Sequence, residues 1–307
     1  MDKEKKGTSS LLMFTASMLI FGTIGLFRRI IPLPSGLIAC ARGLLGGLAL
    51  VVFMIIRRPS GKVKIPAAAF LWLCISGAVM GFNWILLFEA YNYTTIATAT
   101  LCYYMQPTIV VILSPLLFHE KLTQKKIIFT VIAVAGMVLV SGVTEGGSQP
   151  GSTKGIVLGL GAAALYAAVV IMNKKIVGID ALPKTVIQLF SAGMVMIPYL
   201  FATDGFKFED FSFRTAVMLL IVGIVHTGIA YILYFGSLPG IPAQTAAIFS
   251  YIDPVSAMVF SALLLGETMN LSGIIGAFMI IGSAVGCTLS ERKGADQSPC
   301  QSDQNPL

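Results

Sequence analysis

The sequence predicts an all-α membrane protein: ten transmembrane helices arranged as two inverted five-helix repeats. Three observations predict it. Of 307 residues, 56% are hydrophobic and 11% charged, less than half the charge of an ordinary soluble domain, for which about 25% is typical; the mean hydropathy is +0.86. The apolar residues come in blocks of bilayer length, which takes about 20 residues of helix. Finally, the segment "YYMQPTIVVILSPLLFHE" at 103–120 returns 147 residues later as "SYIDPVSAMVFSALLLGE" at 250–267.

The elements follow in order. "MDKEKKGTSS" has the basic start of a signal peptide, but the apolar run after it continues through "IFGTIGLFRRI" and ends in charge. It lacks a small-x-small cleavage site, so it reads as a retained first helix over 9–27. Spans at 35–56, 66–89, 94–118 and 126–143 complete a first unit over 9–143. The Gly-, Ser- and Pro-rich stretch "TEGGSQPGSTK" at 144–154 is a linker. Spans at 155–173, 184–203, 214–235, 242–265 and 270–290 form a second unit over 155–290, and 291–307 is a polar tail. These blocks are apolar all round, whereas a soluble helical core would need polar faces at helical spacing.

Charge sets the expected orientation. With the N-terminus inside, the cytoplasmic segments carry fifteen Lys and Arg, among them Lys3, Arg57, Lys125, Lys175 and Arg292; the opposite side has five, Arg28, Arg29, Lys154, Lys207 and Arg214. By the positive-inside rule both termini are cytoplasmic, in a multi-pass cell membrane protein, plasma or bacterial inner. The net charge of +7 reflects this topology; the basic residues form no single surface for nucleic acid. Five scattered cysteines suggest neither a disulfide framework nor a metal site, and no cofactor motif is present.

At the offset of 147, Thr98, Ala99, Tyr104, Pro107, Ser114, Leu116, Leu117 and Glu120 align with Thr245, Ala246, Tyr251, Pro254, Ser261, Leu263, Leu264 and Glu267. A unit with an odd number of spans forces its copy to enter from the other side. Inverted repeats of this kind are a transporter architecture, with the substrate at mid-membrane.

Each half resembles an EamA domain, and the whole is similar to ten-helix members of the drug/metabolite transporter superfamily. The resemblance is carried by "FEAYNYTTIATATLCYYMQPTIVVILSPLLFHEKLT", its echo "YFGSLPGIPAQTAAIFSYIDPVSAMVFSALLLGETMN", and "RGLLGGLAL" with Arg42. It implies two five-helix units around a cavity that works by alternating access, and export of amino acids, other metabolites or toxic compounds.

A mid-span proline removes a backbone hydrogen bond and kinks the helix. Pro107 and Pro254 are expected to free the carbonyls of Tyr103 and Ser250, setting Tyr104, Gln106, Tyr251 and Asp253 on cavity walls. Asp253, costly at mid-span by about 2.5 to 3.5 kcal/mol, is expected to bind substrate or carry a proton. His226, at similar depth, is a second candidate for proton coupling, although a lone histidine more often bonds a neighbouring helix. Arg42 either pairs with Glu89 or receives a substrate carboxylate. Asn83, Trp84 and Tyr231, the repeat partner of Trp84, are expected to complete the substrate wall. "GAVMG", "GIVLG" and "GSAVG" are close-packing spacings that also suit a homodimer face.

The leading expectation is a secondary transporter exporting amino acids or related small metabolites, with the bilayer and a small solute as partners. Multidrug efflux is the alternative. An integral-membrane enzyme is remote, because the only histidines, His119 and His226, form no catalytic set, and no Walker motif is present for ATP.

Overall fold

The computed structural model describes residues 2–57, 65–118, 124–140, 152–176, 178–203, 211–240, 249–267 and 270–295. Among them the regular structure is entirely helical: α1 (Asp2–Gly22), α2 (Ile24–Ile30), α3 (Ser35–Arg57), α4 (Ala67–Tyr93), α5 (Ile96–Tyr103), α6 (Gln106–Phe118), α7 (Gln124–Val140), α8 (Ser152–Lys175), α9 (Ala181–Ala202), α10 (Phe213–Leu220), a π-helical segment (Ile221–Ile229), α11 (Ala230–Ser237), α12 (Ile252–Leu265) and α13 (Leu271–Ala295). Glu120 and His119 lie outside the described residues, as do 242–248 of the ninth expected span.

Among the described residues, seven segments are long and apolar enough to cross a membrane: Thr8–Ile30, Ser35–Arg57, Ala67–Tyr93, Ile96–Leu113, Thr153–Asn173, Ala181–Ala202 and Phe213–Gly240. Three shorter apolar helices, Ile127–Val140, Ile252–Leu265 and Leu271–Ser283, stand where the sequence places its fifth, ninth and tenth spans. The chain is therefore a multi-pass membrane protein. Large side chains such as Ile55, Phe201, Leu263 and Phe278 are more than half exposed, as expected of surfaces that meet acyl chains rather than water.

Local chemistry sets the helix ends. Thr95 caps α5 by accepting the Thr98 N–H at 3.0 Å, and Ser212 caps α10 through the Thr215 N–H at 3.2 Å. Gly266 closes α12 at φ +66°, a left-handed position that glycine adopts without a Cβ penalty.

Besides the π-helical segment, three of the expected spans are irregular among the described residues. The first breaks between α1 and α2 at Thr23. The fourth breaks at Tyr104–Met105, next to Pro107 as expected; α6 resumes with the Ile109 N–H bonded to the Met105 carbonyl at 3.0 Å. In the ninth, the Ser250 carbonyl that Pro254 cannot reach accepts the Asp253 N–H at 3.3 Å, so the turn itself recovers the lost partner.

α4 packs on α8 and α9, α3 on α9 and the π segment, α1 on α11 and α12, and α7 on α13. Small residues allow the approach, since lipid supplies no hydrophobic drive between helices. A Cβ at Gly43 would stand 2.7 Å from the Gly193 nitrogen, and one at Gly136 2.7 Å from the Gly276 carbonyl. The spacings "GAVMG" and "GIVLG" are used inside the chain: Gly77 and Gly81 meet α9, while Gly155 and Gly159 meet Thr94 and α5.

Candidate functional site

The broken helices border a cavity of about 430 Å³. Its position follows from helix periodicity. On α4, Met80, Trp84, Leu87 and Tyr91 recur at steps of three and four residues, forming one stripe, and all four line the cavity. α5 and α6 contribute Tyr103, Tyr104 and Gln106 on either side of their break, and α12 contributes Asp253 from its first turn.

Two charged groups face this space. The Tyr104 hydroxyl donates to Asp253 Oδ2 at 2.6 Å, joining the two echoed segments directly. The Tyr104 ring lies 6.2 Å from that of Tyr251 and 6.0 Å from that of Tyr103, which in turn lies 5.4 Å from Tyr166. A second arc runs from Phe21 to Tyr231 at 5.4 Å and on to Phe235 at 5.8 Å.

Arg42 projects from α3. Its Nε donates to Thr227 Oγ1 at 2.9 Å, and its guanidinium carbon sits 4.3 Å from the Trp84 ring centre and 5.9 Å from that of Phe88. Stacking on tryptophan is a favourable cation–π geometry. Among the described residues, no carboxylate lies within ion-pair distance of Arg42, and its Nη groups have no hydrogen-bond acceptor.

The anticipated residues thus divide. Trp84, Tyr104, Gln106, Tyr231, Tyr251 and Asp253 share the cavity with Arg42. Asn83 does not: fully buried, it donates Nδ2 to the Ala162 carbonyl at 2.5 Å, because one residue along α4 is a turn of about 100° away from the Trp84 stripe. The pairing of Arg42 with Glu89 is also corrected. Glu89 accepts from Ser35 Oγ at 2.5 Å and Asn92 Nδ2 at 3.3 Å; Ser35 Oγ itself accepts from Arg28 Nη2 at 3.1 Å. The cation near Glu89 is therefore Arg28.

His226 lies off the cavity lining, with Nε2 2.8 Å from Thr23 Oγ1 at the α1–α2 break and its ring 4.5 Å from that of Phe27. Its neighbour Thr227 turns the other way, toward Arg42.

Sequence reasoning missed several lining residues: Tyr91, Tyr103, Tyr166, Asn173 and Gln188. Gln188, the near-counterpart of Arg42 in the second half, donates Nε2 to Ser76 Oγ at 2.7 Å and Asn173 Oδ1 at 2.9 Å. An in-span polar residue at a repeat-related position was the available signal.

Comparison with known proteins agrees with this picture. The profile of the EamA-like transporter family matches twice, at residues 8–142 and 153–289. An uncharacterized transporter, YxxF of Bacillus subtilis (strain 168), is 28% identical over 94% of this chain and 92% of its own length. Protein PecM of Dickeya dadantii (strain 3937) is 24% identical over 81% of each. A solved crystal structure superposes with a TM-score of 0.65 at 18% identity, covering 93% of this chain and 98% of the other, which shows a shared fold. With the family profile matching nearly the whole length, the chain belongs to the EamA-like transporter family and is a membrane transporter.

Proposed function

We propose that the protein is a secondary transporter that carries a small zwitterionic solute, an amino acid or related metabolite, out of the cell by alternating access. In this reading 9–143 and 155–290 are inverted five-helix repeats, with ten spans in all and both termini in the cytoplasm. The observation that carries it is Arg42. A buried cation with no ion-pair partner among the described residues is expensive, and Arg42 faces the same small cavity as Asp253.

A solute carboxylate on the Arg42 Nη groups supplies the missing anion in bidentate form, with Trp84 holding the guanidinium plane. An ammonium group then meets Asp253, while the tyrosine and phenylalanine rings cover the apolar part. A volume of about 430 Å³ suits a solute of that size. Asp253 is the proposed coupling residue: the ammonium and a proton compete for one carboxylate, so loading one displaces the other.

A thermal-shift screen of amino acids, nucleosides, sugars and lipophilic cations on the purified protein tests the reading, because a ligand that binds only the folded state raises its melting temperature. Stabilisation by α-amino acids, lost when either the carboxylate or the amine is blocked, is the expected outcome. Stabilisation by many unrelated lipophilic cations would replace it with multidrug efflux.

A further inference from the structure

We propose that α2 is the gate closing this cavity on one membrane face: a half-helix hinged at Thr23 and latched through Arg29 to Glu267. The proposal rests on the transport reading and adds how the same site is sealed.

The cavity has a direction. Gly155, near the start of α8, packs against Thr94, so that end of α8 lies at the face carrying the α4–α5 corner and Arg29. The lining residues Asn173, Thr185 and Gln188 belong to the end of α8 and the beginning of α9, toward the opposite face. At the Arg29 side Thr100, Leu87 and Tyr91 are all buried; at the other end Thr185 and Gln188 are buried too, and Asn173 is half-buried.

α2 provides the seal on that side. Phe21, Gly22 and Ile24, which flank the break, all line the cavity, so α2 starts at the cavity and runs to the face. Two glycines let the chain lie close against its neighbours at the break: a Cβ on Gly22, the last residue of α1, would collide with the Ser256 side chain and lie 2.8 Å from the Asp253 carbonyl of α12, and one on Gly25 of α2 would lie 2.6 Å from the Ile96 side chain of α5. The inner end is tied at the hinge by His226 on Thr23.

The outer end carries two arginines with different duties. Arg28 is buried and bonds the Ile31 carbonyl at 3.2 Å and Ser35, which reaches Glu89; all of these contacts stay within the first half. Arg29 crosses to the second half. Its Nη2 donates to the Thr94 carbonyl at 2.8 Å and to Glu267 Oε1 at 2.9 Å. Glu267 Oε2 accepts the Ile96 N–H at 2.8 Å and the Ser261 hydroxyl. One carboxylate thereby gathers α2, the start of α5 and the end of α12.

Arg29 and Glu267 form the one ion pair among the described residues, with side chains 35% and 14% exposed. Water and salt reach such a pair, so it is weak enough to part within a transport cycle. A permanent clamp would be buried.

The test uses thiol accessibility and needs no known solute. Cys40, Cys74, Cys102, Cys287 and Cys300 are replaced, and single reporters Thr100→Cys and Asn173→Cys are introduced in turn. Their modification by 2-(trimethylammonium)ethyl methanethiosulfonate, added to the Arg29 face or the opposite face of oriented vesicles, is timed. With the latch intact, the residue-100 reporter is protected from the Arg29 face and the residue-173 reporter reacts from the other. Arg29→Ala and Glu267→Gln should each speed the first and slow the second, changing the ratio of the two rates by about fivefold, the shift an exposed ion pair can supply, and Arg29→Lys should restore both. No change, or a rise at both reporters, overturns the gate, the latter because the pair would then merely hold the fold. Either result is independent of the ligand screen, so the gate can fail while the solute reading stands.

Discussion

Asp253 and Glu267 stand at opposite ends of α12 and are treated in opposite ways. Glu267 is saturated, with donors from Arg29, Ile96 and Ser261; Asp253 receives its one side-chain donor among the described residues from Tyr104 and turns to the cavity. The arginines repeat the contrast. Arg29 has a carboxylate and a carbonyl, while Arg42 has a hydroxyl and an aromatic face. Where the protein supplies every partner, a charge joins helices. Where the described residues leave one out, as at Arg42 and Asp253, the charge is open to a solute or a proton, the role proposed above.

The strongest way to break this contrast is Asp253→Asn. It removes the group that can exchange a proton for a cation while keeping the shape and the acceptor for Tyr104. In proteoliposomes, pH-driven flux should vanish while solute exchange continues; retained pH-driven flux would make Asp253 as structural as Glu267. Next in size is Arg42→Gln. Leaving a solute carboxylate without its cation in a buried site costs about 2 to 5 kcal/mol, so affinity for a carboxylate-bearing ligand should drop at least about 30-fold by calorimetry. Amino amides that lack the carboxylate should bind the variant as weakly as they bind the parent.

Much of this was legible in the sequence, for physical reasons. Hydropathy and charge depend on composition and give the membrane class. The echo of "YYMQP" in "SYIDP" brought Tyr104 and Asp253 forward, and the structure has them touching. Adjacent residues on one helix were harder. Asn83 and Trp84 look alike as in-span candidates, yet only the phase of α4 decides which faces the cavity, and that phase is set by the packing of α4 on α8 and α9. The same holds for His226 and Thr227, whose π-helical backbone shifts the register on which a helical-wheel argument rests. Depth alone pairs Arg42 with Glu89, but Arg28 and Ser35, nearer Glu89 in space, intervene.

A smaller effect sharpens the role of Tyr104. Tyr104→Phe keeps the ring between Tyr103 and Tyr251 and deletes the hydroxyl on Asp253. A hydrogen bond to a charged group is worth about 1.5 to 3 kcal/mol, but solvent in the cavity replaces part of it. A loss of roughly fivefold in ligand affinity, together with a shifted pH dependence of transport, is expected. An unchanged pH profile would mean that Tyr104 shapes the wall without tuning the carboxylate.

The smallest expected effect separates packing from recognition on a single helix. Asn83→Ala removes the bond from α4 to the Ala162 carbonyl of α8 without touching the cavity. Side-chain hydrogen bonds between membrane helices average about 0.6 kcal/mol, so the melting temperature should fall slightly while ligand affinity stays within about twofold. Trp84→Ala, one residue on, should do the reverse, weakening binding because Arg42 loses the ring it rests on. If Asn83→Ala instead reduced affinity as much as Trp84→Ala, the α4–α8 seam would have to open onto the solute during the cycle. The line between partnered and reserved polar groups would then hold for one conformation only.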